Sequence, residues 1–175
     1  TIEINAFLQK INGFIYEVPS GQYRTTFSGV YPIFRYRQDN ALFQGIDVSI
    51  KQNFTQNIHY QVNASLVYAR NSDNQLPLPM IPSERIVQNI SFKLPDFDMF
   101  NENYLQLDHT WVNKQTRFNP TQDLVNFTPE AYHLFGMKLG TAVAYSSTKK
   151  INLDLSVSNI FNVLYKEYTD RFRYF

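Results

Sequence analysis

The stretch INLDLSVSNIFN, residues 151–162, sorts its side chains by parity: Ile151, Leu153, Leu155 and Val157 fall on one, Asn152, Asp154, Ser156 and Ser158 on the other. Successive side chains of a β-strand point to opposite faces, so this pattern predicts a strand with one apolar and one polar face. Alternation alone does not name the medium on the apolar side. A half-buried strand of a soluble sandwich and a strand that crosses a bilayer share the period of two.

Six further stretches show the same pattern. Residues 1–10 place Ile2, Ile4, Ala6 and Leu8 on one parity, and residues 40–54 place Leu42, Ile46, Val48 and Ile50 there, opposite Asp47, Ser49 and Lys51. Residues 58–70 set Ile58, Tyr60, Val62, Ala64, Leu66 and Tyr68 against His59, Gln61, Asn63 and Ser65. Residues 85–94, 104–112 and 132–145 follow suit, and no stretch has a helical period. The expectation is an all-β fold: an antiparallel up-and-down meander of seven strands with essentially no helix.

The connections favour the membrane over the sandwich. Those at FTQN, PDFDMFNEN and SSTKK are short, while residues 12–39, 71–84 and 114–130 form three long connections rich in Pro, Asn, Gln and Arg. Short turns gather at one end and long loops at the other, the asymmetry of barrels with short periplasmic turns and long outer loops. Greek-key sandwiches scatter long connections to both ends. Aromatic residues on the apolar parity fall in two rows, Tyr60, Phe92 and Tyr145 near the short turns and Tyr68, Trp111, Phe135 and Phe161 near the long loops. Phe135 and Tyr145 are ten residues apart. At a barrel tilt they span roughly 25 Å, the height of the apolar band between aromatic girdles. These seven are the expected lipid-facing girdle.

Composition narrows the function classes. The net charge is +1, so no basic field favours nucleic acid as a partner. Cysteine is absent, which removes disulfides and thiolate chemistry. A mean hydropathy of −0.35 agrees with strands that spend every second residue on a polar lumen. The three histidines, His59, His109 and His133, fall on three different strands, and no catalytic constellation, metal site or cofactor motif emerges. Asp96, Asp98 and Glu102 in DFDMFNE lack the Gly and the spacing of a calcium loop and read as a solvated turn.

The final stretch VSNIFNVLYKEYTDRFRYF resembles the penultimate strand of TonB-dependent receptors, with Asn159, Ile160, Phe161, Asn162 and Tyr165 matching, and the YTDRFRYF continuation resembles the Bacteroidetes branch. DNALFQGIDVSI resembles a strand of the same family, with Ala41, Gly45 and Asp47 in register. LPLPMIPSERI resembles its Pro-rich loop, with Ser83 where the family more often has a second Pro, and AFLQKINGFIY resembles the strand before a long loop. The resemblance covers nearly the whole chain in family order. It implies that the meander forms part of a large transmembrane β-barrel, and that residues 1–175 are a single segment, the C-terminal part of that barrel domain in the outer membrane of a Gram-negative bacterium. Plug, TonB box and final strand would lie outside this sequence, as would an export signal. The implied function is import of a scarce nutrient such as a ferric siderophore, haem or other metal chelate. The implied partners are outer-membrane lipid, the remainder of the barrel, the plug and the TonB energy-transducing complex.

Two rival functions fit parts of the pattern: a soluble β-sandwich module binding carbohydrate, and an outer-membrane adhesin or receptor barrel that transports nothing. For ligand binding the first long connection is the main candidate, because it interleaves Tyr16, Tyr23, Arg24, Arg35, Tyr36 and Arg37. Arginine among aromatics suits an anionic, partly aromatic metal chelate. The lumenal polar residues Asp47, Lys51, Lys93, Asp108, Lys138 and Asp154 are expected to pair across neighbouring strands and hold a plug. The strands of residues 2–10 and 151–162 are expected to be the two edges of an open sheet, each pairing with protein outside this sequence.

Overall fold

The computed structural model describes residues 1–146 and 148–170. Part of the SSTKK turn and the RFRYF end of the last motif lie outside the described residues. The fold is one antiparallel sheet of seven strands in sequence order: β1 (Ile2–Thr26), β2 (Gly29–Asn53), β3 (Ile58–Asn71), β4 (Arg85–Lys93), β5 (Phe100–Val112), β6 (Tyr132–Ser146) and β7 (Lys149–Val157). The only helical turn among the described residues is the short 3₁₀ segment Pro120–Gln122.

The register carries the parity of the sequence across the whole sheet. Ile4, Val48, Ala64, Ile86, Trp111 and His133 are successive partners in one row, and Asn5, Asp47, Ser65, Arg85, Val112 and Tyr132 in the next. Neighbouring residues of a strand face opposite ways, so the first row belongs to an apolar face and the second to a polar one. The apolar side chains are not covered by a second layer: Leu139 is 46%, Leu153 52% and Leu155 66% exposed. A sandwich core would bury these residues, and here they stand outward.

One end of the sheet carries the turns at residues 54–57 and 94–99 and the β6–β7 turn; at the other, β3 and β4 are joined by residues 72–84 and β5 and β6 by residues 113–131. The first connection differs from expectation. Residues 12–39 are not a loop, because β1 and β2 continue past the rest of the sheet as one long hairpin closed at Phe27 and Ser28. Two register shifts, between Ile11 and Phe14 and between Pro19 and Tyr23, let the ladder continue through residues that break a strict alternation in sequence. Strand β7 stops at Val157, five residues short of the expected end, and Asn159 and Asn162 take positive φ values of 49° and 51° in the turn beyond it. Asparagine tolerates that conformation, and the Asn159 side chain fixes the turn by accepting from Val163 N at 2.8 Å.

Candidate functional site

The polar face holds a trough of about 300 Å³ walled by Glu3, Asn5, Asp47, Ser49, Asn63, Ser65 and Arg85. Alternation on four adjacent strands aims these side chains to one side, which is why short polar residues at every second position build a hydrophilic wall. Arg85 ends the trough. Its guanidinium donates to Glu167 at 2.5 Å, and Glu167 also accepts from the Tyr132 hydroxyl at 3.1 Å. Tyr165 stacks on Tyr132 with ring centroids 4.5 Å apart, so the segment after β7 folds back over this face.

Of the six expected lumenal charges, only Lys138 and Asp154 pair with one another among the described residues, at 3.6 Å. Asp154 also accepts from the Tyr104 hydroxyl at 2.5 Å. Asp108 accepts from Gln106 at 2.7 Å, while Asp47 lines the trough. Two aromatic residues lie over glycines on their partner strands, Phe7 over Gly45 and Tyr104 over Gly140. The ring takes the volume that a side chain on the glycine would fill.

The hairpin divides the residues expected to bind ligand. Tyr16 is opposite Arg37, Val18 opposite Arg35 and Arg24 opposite Tyr31, which puts Tyr16, Arg24, Arg35 and Arg37 on the face continuous with the trough. Tyr36 and Tyr23 occupy rows of the other parity and point away from it. Tyr16 is buried against Ala41, Ala69 and Leu78, and its hydroxyl donates to Asp39 at 2.5 Å. Burial, and then the bond to Asp39, push its pKa up. Arg37 ion-pairs with Asp39 at 3.6 Å, so Arg24 and Arg35 are the cations of the set that remain exposed without an ion pair among the described residues.

On the apolar face Tyr60, Tyr68, Phe92, Trp111 and Phe135 hold ladder rows of the apolar parity. Tyr145 sits in the register shift between Ala144 and Ser146, and Phe161 lies in the turn beyond β7, not on a strand. Phe135 meets Phe161 edge to face at 5.4 Å, and the Arg117 guanidinium lies 3.9 Å above the Tyr68 ring. A polar chain runs among them. The Tyr60 hydroxyl donates to Gln88 at 2.6 Å, the Gln88 amide donates to His109 Nδ1 at 2.7 Å, and His109 Nε2 lies 2.9 Å from His133 Nδ1. His109 also stacks on Phe135 at 4.6 Å. The sequence separates these two histidines by 24 residues, and only the β5–β6 register brings them together.

Asp96 caps its own turn by accepting from Glu102 N at 2.9 Å, and Glu102 pairs with Lys150 at 2.8 Å. Sequence reasoning did not single out Glu3, Asn5, Arg85, Tyr132 or Glu167. Parity held a signal for the first three, since they fall on the polar side of their strands. Nothing in the sequence marked Glu167, which comes from beyond the last strand.

An open meander with an exposed apolar face and a polar trough is the wall of a barrel set in a membrane. The family model described as TonB dependent receptor-like, beta-barrel matches residues 1–160, and the chain belongs to that family. The fold is similar to that of the solved structure titled Copper transporter OprC, with a TM-score of 0.76 and 16% identity over 96% of this chain and 24% of that one. The chain thus spans about a quarter of that transporter's length. A search of the curated proteins finds no match.

Proposed function

We propose that this chain is part of the wall of an outer-membrane importer driven through TonB, and that the importer takes up a scarce nutrient presented as a metal chelate, such as a ferric siderophore or haem. The observation that carries this reading is the pairing of an uncovered apolar face with a polar trough on one sheet of this family. The solute would meet Arg24, Arg35 and Tyr31 on the hairpin first, where guanidinium groups and an aromatic ring are exposed on the trough side. It would then pass a wall whose side chains are short and hydrogen-bonding, which wets the path without a deep anchoring pocket. The plug and the strands that complete the barrel are partners supplied by protein beyond these residues. A neighbour titled as a copper transporter makes a metal-containing cargo the first to test.

The test is uptake of labelled ferric siderophore, haem and copper chelates by cells carrying the whole receptor, with and without inner-membrane energisation. Accumulation of one chelate that stops when TonB is removed supports the importer. Surface binding that is unchanged by removing TonB, with no accumulation of any of them, would identify a receptor that transports nothing.

A further inference from the structure

A cleft of about 200 Å³ opens at the loop end of the sheet and is lined by Leu42, Gln44, Tyr68, Arg70, Gln75 and Arg117 among others. It lies on the apolar side. Leu42 and Arg70 are partners in one row and Gln44 and Tyr68 in the next, and both rows continue the parity of Ile46 and Leu66. The trough residues occupy the opposite parity, so a solute inside the barrel does not reach this cleft. No carboxylate lines it.

We propose that this cleft binds the phosphate of a lipid in the surrounding outer leaflet, an inference that rests on the reading of the apolar face as bilayer-facing. Tyr68 belongs to the girdle row nearest the loops, and Arg70 lies two residues further along β3, about 7 Å beyond it and so at the level of headgroups. Arg117 is held in place before any ligand arrives. Its guanidinium stacks on Tyr68 at 3.9 Å and donates through Nη1 to Glu84 at 2.7 Å. Arg70 makes no ion pair among the described residues and is exposed. Two guanidinium groups, one fixed and one unpaired, suit the tetrahedral oxygens of a phosphate, which accept paired N–H donors. Lys10 stands in the same row as Leu42 and Arg70 and adds a third positive charge. Below the cleft, Leu66, Ile46 and Val48 continue the face as an apolar surface for the acyl chains of the same molecule. A free anion would use the guanidinium groups alone, whereas a lipid uses both parts.

The whole receptor, purified in detergent and stripped of lipid, is titrated with a bis-phosphorylated lipid A-type glycolipid, its dephosphorylated form and inorganic phosphate, with bound ligand read by native mass spectrometry. The phosphorylated lipid is expected to bind about tenfold more tightly than the dephosphorylated one, and Arg70→Gln to lose about the same factor. Lys149→Gln, at the opposite end of the sheet, is expected to bind as the unaltered receptor does. Arg117→Gln also breaks the pair with Glu84, so Arg70→Gln is the deciding variant. Equal binding by Arg70→Gln, equal binding of the dephosphorylated lipid, or full displacement by millimolar inorganic phosphate each overturns the proposal. Recovery of the receptor without detergent defeats instead the bilayer reading of the face itself.

Discussion

The Tyr104 ring lies so close over Gly140 that a Cβ built on the glycine would stand 2.1 Å from it, while the same ring's hydroxyl donates to Asp154 on β7. Gly45 is tighter in kind, because a Cβ there would meet the Leu66 carbonyl oxygen as well as the Phe7 ring, both at 2.6 Å. A side-chain ring can swing aside, but a backbone oxygen in a ladder cannot. Gly45→Ala is therefore expected to destabilise the receptor more than Gly140→Ala, with overpacking of this kind costing about 1–3 kcal/mol. Combining Gly140→Ala with Tyr104→Ala should recover most of the loss of Gly140→Ala, since the ring is gone and the Asp154 carboxylate, 2.7 Å from such a Cβ and no longer held by the Tyr104 hydroxyl, can swing aside. Thermal melting of the three variants beside the unaltered receptor checks the order, and equal losses for the two glycines would show that the ladder oxygen is not what matters.

Leu153 and Asp154 are neighbours on β7 and lie on opposite faces of the sheet. In a bilayer, Leu153→Arg near mid-depth is expected to cost about 2–4 kcal/mol. Asp154→Asn should cost little, because the amide oxygen still accepts from Tyr104. Folding of the receptor into lipid vesicles measures both, and a mild effect of Leu153→Arg would contradict a lipid-facing position.

Glu84 accepts from Asn113 at 2.6 Å and from Arg117 at 2.7 Å, and these bonds hold its carboxyl below the usual carboxylate range. A depressed folded-state pKa means stabilisation that is fully present above the ordinary value of 4.5 and is lost as pH falls through the lower, folded value. Acidification below the usual carboxylate range is therefore expected to loosen residues 113–117 from Glu84, and Glu84→Gln to remove that pH dependence. Hydrogen exchange of the loop amides from pH 6 downward is the measurement. A loop protected equally in both proteins at every pH would show that the cluster does not hold it.

How far the sequence carried depended on whether a feature was local. Parity is written residue by residue, so all seven strands, their meander order and the two faces were legible at positions such as Leu153 and Asp154. The long hairpin was not, because the bulges near Gly13 and Gly21, both at positive φ, break the alternation that marks a strand. The Tyr and Arg residues of residues 16–37 were visible as a composition, but their division between two faces follows from those register shifts. The His109–His133 contact, the Arg70–Arg117 cleft and the Glu167–Arg85 pair depend on register between strands or on a loop returning from far along the chain. Spacing in sequence holds no trace of such contacts.

The last expectation concerns the two edges. Among the described residues β1 pairs only with β2 and β7 only with β6, and the two do not pair with each other. Backbone groups left unpaired in hydrocarbon cost several kcal/mol each, so a bilayer cannot hold this sheet with both edges open. Each edge is therefore expected to ladder to further strands of the receptor, consistent with a fold that matches a quarter of a larger transporter. In the whole receptor in lipid, the outward amides of residues 2–10 and 150–157 should exchange as slowly as those of β4 and of residues 59–65 of β3, which are laddered on both sides. Cysteines introduced at Asn5 and Ser156, both on the polar face near the edges, should each form a disulfide with a cysteine on a neighbouring strand outside this chain and none with one another. A direct Asn5–Ser156 cross-link within one chain would mean a small closed barrel of seven strands, and the large importer would go with it.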